Sequence, residues 1–487
     1  MAKYSSNKIP PILSPKDSAP PADRFHDYMN YRGVAEESEV RPLFDGLVSL
    51  GRYLEPHGKN GRELFLSEAI LMRHCAILGR TGSGKTESVI VPWIIGLLKN
   101  GYSVATVDVV GNLESRLRNQ AKKLGCRFWY WNSDRPDSDS WNWLDEVSLT
   151  DDRDVESAIR SILGRKNPRD SQPFFYDRDC RWLRALIYIT KKAYGNNAKP
   201  SNLYRLVADQ SALINEFNLS PSLNIHYPDV ADLLNFSPDE HSKGVSGLLN
   251  ALNFFSVPSV AKVTESSDFK VSDIDSHPTL LVIGDSLGNE RAAKLSSMMV
   301  NQLINHVYRR TPNGLSKELQ PMSLIIDEAP RLKDRIDYKE VLAVARNSKV
   351  GICLAAQDTS QFGNKTETAE ILSNCNTIIT LKDAPPATAN YFSEQLGKRR
   401  EQKVSVSDKR TLADDFHDLD RGASLFNVII KNLFKSKRKS IDTVEVPILG
   451  EREIMYPPVG NYPAVVLVSP VSNKPFLVEL DLAHRSI

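Results

Sequence analysis

His74-Cys-Ala-Ile-Leu-Gly-Arg-Thr-Gly-Ser-Gly-Lys-Thr-Glu87 is the stretch on which the reading of this chain turns. Cys75 to Leu78 is an apolar run of strand length. Gly79 to Thr86 fits G-x-x-x-x-G-K-[ST] without a mismatch, and Val89 to Leu98 is apolar over a helix length until Lys99-Asn100-Gly101 stops it. Strand, glycine loop and helix in that order predict a P-loop, with Pro92 expected to kink the helix. Glycines let successive backbone N–H groups close around phosphate oxygens, and the helix N-terminus adds the positive end of its dipole. Gly79, Arg80, Thr81, Gly82, Ser83, Gly84, Lys85, Thr86 and Glu87 are therefore the candidate nucleotide ligands. Lys85 is expected to reach the β- and γ-phosphates, and the Thr86 hydroxyl to sit on Mg2+.

The chain of 487 residues is long enough for two or three domains, and its 41% hydrophobic and 25% charged content is that of an ordinary globular protein. A formal net charge of +2 carries no global basic signature, so any nucleic-acid surface must be local. The five cysteines, at 75, 126, 180, 353 and 375, contain no C-x-x-C pair. That spacing argues against a zinc site or a disulfide scaffold and suits a reducing cytoplasm. The N-terminus has no signal-peptide core, and no apolar run approaches the roughly 20 residues a membrane crossing needs. Contact with the inner face of a membrane would thus be through a partner.

Taken in order, residues 1–43 are rich in Pro, Ser and charge and read as an extended or disordered arm. Gly46 to Leu54 and Glu63 to Leu66 read as a hairpin leading into the P-loop strand, and Tyr102 to Val110 as a second buried strand with Asp108 near its end. Asp108 is open to a functional reading, in the Mg2+ shell or positioning a base, and to that of a turn cap. Arg127 to Trp131 is a third strand, and Trp141 and Trp143 read as core. Residues 44–150 thus form the first part of a nucleotide-binding domain, an α/β unit with a mainly parallel sheet.

Residues 151–267 change character. Asp154 to Leu163, Asp177 to Tyr194, Asn202 to Glu216 and Lys243 to Phe255 read as helices of an inserted all-alpha domain, with Arg178, Arg181 and Arg184 on a solvated face. The sheet resumes over residues 268–487. There Thr279 to Gly284 is a strand, Arg291 to Tyr308 a helix, and Met322-Ser-Leu-Ile-Ile-Asp-Glu328 an apolar strand ending in two acids, the pattern called Walker B. Asp327 is expected to hold Mg2+ and Glu328 to polarise the attacking water. Asp337 to Arg346 reads as a helix. Val350 to Ala356 is a strand whose end presents Gln357 as a γ-phosphate sensor. Arg346 is the arginine-finger candidate, directed at a neighbouring subunit's nucleotide, with Arg399 and Arg400 as runners-up. Asn376 to Leu381 and Thr388 to Leu396 read as one more strand and helix. Lys398 to Lys439 is the most basic stretch, either a phosphate-contacting segment or a solvated loop. Pro463 to Ser469 closes the sheet, with Lys474 to Leu482 as an added edge.

With these motifs in place, the chain resembles the coupling proteins of type IV secretion systems, the conjugative DNA-transfer ATPases. The resemblance runs from about Gly46 to Asn376. His74 precedes the Thr81–Thr86 loop, and Asp108 stands where the family has a D-P-K-G strand end. Trp141-Asn142 matches an R-W-N-P segment, and Phe174-Phe-Tyr176 matches the aromatic opening of the family's all-alpha domain. Asp327-Glu328, Arg346 and Gln357 keep the family's order and spacing. The resemblance implies a RecA-like core that uses ATP and Mg2+ and assembles as a hexamer. It also implies that the protein moves DNA, single-stranded rather than duplex, and takes relaxase or other secretion substrates through the all-alpha domain. Val109-Val110 and Trp143 depart from the family pattern, and the membrane helices usual in the family are not seen in this sequence. These departures keep two other readings open: a DNA translocase or DNA-processing ATPase serving a plasmid, a chromosome or phage defence, and an ATP-gated module that recruits substrate proteins.

Overall fold

The structure is a computed structural model that describes residues 34–54, 60–166, 173–310, 319–408, 437–457 and 460–481. Its centre is an eleven-stranded sheet. Numbered along the chain, its strands are β1 (Val48–Leu54), β2 (Asn60–Leu66), β3 (Cys75–Leu78), β4 (Ser103–Asp108), β5 (Arg127–Trp131), β6 (Thr279–Gly284), β7 (Met322–Ile326), β8 (Val350–Ala356), β9 (Thr377–Leu381), β12 (Pro463–Val468) and β13 (Phe476–Glu479). A separate two-stranded ribbon pairs β10 (Lys398–Asp408) with β11 (Lys437–Pro447). The order across the large sheet is β2-β1-β13-β12-β9-β3-β8-β7-β4-β6-β5.

The seven strands from β9 to β5 are parallel. They need crossovers, and the helices that supply them cover both faces, which is why these strands are mostly apolar on both faces. Their side chains alternate between two cores. Cys75 and Ile77 of β3 and Cys353 and Ala355 of β8 face the core containing Trp93, Ile94 and Leu117 of the helices Val91–Lys99 and Leu113–Lys123. Ala76 and Leu78 of β3 and Ile352 and Leu354 of β8 face the other core, with Ile159, Leu303 and Leu342. That second core belongs to the helices Arg153–Leu163, Glu290–Arg310 and Tyr338–Ala345.

Several sequence readings are revised here. Lys474 to Leu482 is not an edge: β13 lies inside the sheet, pairing antiparallel with both β1 and β12. The early hairpin is the sheet's far margin, joined to the P-loop strand only through β13, β12 and β9. Asn202 to Glu216 is broken into the helices Pro200–Ala208 and Gln210–Leu219, because Asp209 between them caps the second, accepting from the Ser211 and Ala212 N–H groups. Lys243 to Phe255 is likewise divided, into the helices Pro238–Gly244 and Ser246–Leu252 and the 3-10 turn Asn253–Ser256. Further helices form at Tyr227–Asn235, Pro258–Thr264 and Lys365–Leu372. The basic stretch Lys398 to Lys439 contributes β10 and the start of β11; residues 409–436 lie outside the described residues, as do residues 1–33 of the N-terminal arm.

Candidate nucleotide site

The P-loop joins β3 to a helical segment that opens with a π-type turn, Thr86–Ile90, before the regular helix Val91–Lys99. Pro92 has no N–H to give to the carbonyl four residues back. The chain takes a wider turn there, with the Val91 N–H reaching back to the Thr86 carbonyl. Each loop glycine has its own reason. Gly82 and Gly84 adopt φ of +79° and +92°, where side chains are strained, whereas a Cβ on Gly79 would lie 2.7 Å from Ser83 Oγ and 3.0 Å from Leu381 Cβ.

Parallel pairing brings the C-terminal ends of β3, β8 and β7 side by side, where sites form in open α/β sheets. Lys85 Nζ donates to the Gly79 carbonyl at 2.6 Å and lies 3.8 Å from Glu328 Oε1. Thr86 Oγ1 donates to Asp327 Oδ2 at 3.4 Å, and Gln357 Nε2 donates to Glu328 Oε1 at 3.1 Å. The structure thus brings Lys85, Thr86, Asp327, Glu328 and Gln357 together from three strand ends. Glu328 holds a left-handed backbone conformation (φ 49°, ψ 46°), an unusual conformation for a non-glycine residue that turns the chain directly after β7.

Burial dominates the electrostatics. It pushes the Asp327 carboxyl up to about 6; Lys85 opposes this shift and Glu328 adds to it. Burial likewise lowers the Lys85 ammonium, against the pull of Glu328 and Asp327. The oxygen set suits Mg2+. The Thr86 hydroxyl and Asp327 carboxylate are adjacent, the Ser83 hydroxyl is buried without a partner, and Mg2+ takes few protein oxygens, completing its octahedron with water and phosphate.

Other expected residues are placed differently. Glu87 pairs through both oxygens with Arg116, one contact being 2.7 Å. The Asp108 carboxylate is committed to a turn and a helix start, accepting from Gly111 N–H at 2.7 Å and Leu113 N–H at 2.8 Å, which favours the capping reading. Arg346 is exposed in the turn Arg346–Ser348, ahead of β8. It therefore lies a full strand of seven residues, roughly 20 Å, from this chain's own P-loop. Arg399 and Arg400 lie on the ribbon strand β10. His74 (φ 64°) ties the base of β3 to β8 and to the helix Tyr338–Ala345. Its Nδ1 accepts from Ile352 N–H at 3.1 Å and its Nε2 contacts the Leu342 carbonyl at 2.8 Å, an arrangement that needs the neutral ring. Burial holds its pKa down at about 4.

Two features escaped the sequence reading. Arg331, one turn past Glu328, clamps the end of β6. It donates to Asp285 at 2.7 and 3.1 Å, to the Ser286 carbonyl at 2.7 Å and to the Asn289 carbonyl at 3.0 Å. Asp285 is only 1% exposed, and burial raises its carboxyl while Arg331 opposes the shift. Arg331→Ala leaves that acid unpaired and is expected to cost about 3–5 kcal/mol, seen as a lower urea midpoint. An unchanged midpoint would show that the pair does not hold this corner. The second feature is a cavity of 560 Å³ beside the P-loop, walled on its far side by Lys382, Asp383 and Tyr462. The signal that could have found Lys382 is its position directly after a buried parallel strand.

This is a RecA-like P-loop α/β fold. The profile of the family described as Type IV secretory system Conjugative DNA transfer matches residues 44–425, and the chain belongs to that family. Among solved structures it is similar to the bacterial conjugative coupling protein TrwBdeltaN70 in complex with sulphate, with a TM-score of 0.59, 16% identity and coverage of 86% of this chain and 88% of that one. It is also similar to the plasmid coupling protein TrwB bound to a non-hydrolysable ATP analogue (TM-score 0.58, 15% identity, 92% and 93% covered). A third match is the same protein with ADP and Mg2+ (TM-score 0.57, 16% identity, 86% and 88% covered). A search of curated proteins returns no match.

Proposed function

We propose that this protein is an ATP-hydrolysing motor that assembles as a hexamer and moves DNA, single-stranded rather than duplex, in conjugative transfer. The observation that carries this reading is the convergence of Lys85, Thr86, Asp327, Glu328 and Gln357 at adjoining strand ends in a chain of the conjugative DNA-transfer family. Lys85 and the loop amides hold the β- and γ-phosphates, while Thr86 and Asp327 hold Mg2+, which supplies charge neutralisation on the phosphate oxygens. Glu328 takes a proton from water as the water oxygen bonds to the γ-phosphorus and the bridge to the β-phosphate breaks, releasing ADP and phosphate. Gln357, bonded to Glu328, senses the γ-phosphate and reports its loss to β8. Arg346, too far from its own chain's loop, completes a neighbour's site.

Residues 151–267 form the all-alpha domain in this reading and receive relaxase or other cargo. Exposed Leu219, Ile225 and Tyr227 supply apolar surface for a protein partner. No helix among the described residues is long and apolar enough to cross a membrane, and membrane contact is assigned to a partner.

The test is ATP hydrolysis across a protein concentration series without DNA, with single-stranded DNA and with duplex. The expected result is a rate that rises cooperatively with protein and is stimulated most by single strands. A slow rate indifferent to DNA at every concentration would instead favour an ATP-gated recruitment module.

A further inference from the structure

We propose that the 560 Å³ cavity beside the P-loop holds the nucleoside half of the nucleotide, with the Tyr462 ring stacking on the base and the Asp383 carboxylate accepting from nucleoside N–H or O–H groups. This rests on the ATPase reading above and adds the residues that recognise the base.

Sheet order sets the direction. β3 carries the P-loop, and the groups assigned to the γ-phosphate, on β8 and β7, lie to one side of it. β9 and then β12 lie to the other side, with adjacent strands about 4.8 Å apart. A triphosphate with its γ end at Glu328 therefore directs its nucleoside toward β9 and β12. β9 is parallel to β3 and ends at the site with Lys382 and Asp383. β12 runs antiparallel to β9 and starts there, just after Asn461 and Tyr462. Two sequence segments about 80 residues apart thus meet at one wall because the strands pair head to tail.

The wall is built for a flat, polar-edged group. Tyr462 is half-buried, and its backbone N–H is fixed to Glu479 at 2.9 Å, which holds the backbone that carries the ring. The Lys382 ammonium lies over the ring, 4.6 Å from its centroid, and donates to the Asn461 carbonyl at 2.6 Å, so it takes one face and the base stacks on the other. Asp383 has a φ of 60°, and its N–H donates to the Met455 carbonyl at 2.8 Å. Its exposed carboxylate makes no hydrogen bond with other described residues. The opposite wall is the loop itself, where a Cβ on Gly82 would meet nothing within 4 Å, leaving room above the phosphates. The volume lies within the roughly 300–1,000 Å³ of small-molecule sites.

The experiment compares the affinities of Mg-ATP, Mg-ADP and Mg-tripolyphosphate, by calorimetry, for the wild type, Tyr462→Ala, Tyr462→Phe and Asp383→Ala. The wild type should bind ATP at least about tenfold more tightly than tripolyphosphate, since base stacking and a charged hydrogen bond are each worth about that factor. Tyr462→Ala and Asp383→Ala should each weaken ATP and ADP about tenfold and leave tripolyphosphate unweakened, while Tyr462→Phe keeps wild-type ATP affinity. Equal wild-type affinity for ATP and tripolyphosphate would overturn the proposal, and that comparison needs no variant to fold. So would unchanged ATP affinity in both alanine variants, or parallel losses of ATP and tripolyphosphate. A wild type that binds neither would overturn the ATPase reading itself.

Discussion

Lys85→Ala is expected to abolish ATP turnover, lowering kcat by at least about 10²–10³-fold. The Lys85 side chain is buried beside Asp327 and Glu328, and its ammonium is the positive charge that opposes the raised Asp327 carboxyl. Removing it would delete the proposed contact to the transferring phosphate and leave Asp327 and Glu328 without the intervening positive charge. Phosphoryl transfer depends mainly on positioning and charge stabilisation, so neither loss is compensated by another group. Phosphate release by the purified variant, checked for folding by circular dichroism, measures the effect. A rate within a few-fold of wild type would sink the assignment of this loop.

The second large effect is a trade of stability against function. Asp327 is 5% exposed, and burial raises its carboxyl to about 6, from 3.8 for the unperturbed group. The folded protein therefore holds this proton up to about pH 6, whereas the unfolded chain releases it near pH 4. Between those values the folded state binds more protons, so the group's contribution to stability falls as pH rises and is lowest above pH 6. Two pKa units correspond to about 3 kcal/mol, part of which depends on Lys85 keeping a partner. Asp327→Asn stays neutral throughout and is expected to be more stable than wild type by about 1–3 kcal/mol at pH 7.5, with the gap closing toward pH 4. Mg2+-dependent nucleotide binding should be lost in the same variant. Thermal unfolding at the two pH values tests this; an Asn variant less stable than wild type at pH 7.5 would refute it.

How much of this was legible in the sequence follows from which interactions are local. β3, β7 and β8 are buried on both faces, so each is a mainly apolar run, and the polar residues just past their C-terminal ends stand out by contrast. Asp327, Glu328 and Gln357 stand at such ends, and Lys85 is marked by the glycine pattern Gly79 to Thr86 that follows β3. The far half of the sheet was not legible. β13 pairs with β1 more than 400 residues earlier, and nothing local distinguishes an interior antiparallel strand of four residues from an edge. Arg331 reads as an ordinary surface arginine until its partner Asp285, on another strand's end, is placed opposite it. The wall of Lys382, Asp383 and Tyr462 depends on the same long-range pairing.

The account's central claim is that Glu328 activates water for attack on a nucleotide held by the P-loop. Glu328→Gln keeps the size and hydrogen-bonding reach of the side chain but removes its basicity. The deciding measurement is Mg-ATP affinity and steady-state hydrolysis of this variant beside wild type. The expected result is affinity within a few-fold of wild type and a rate lower by about 10²-fold or more. A variant that hydrolyses ATP at the wild-type rate would contradict it.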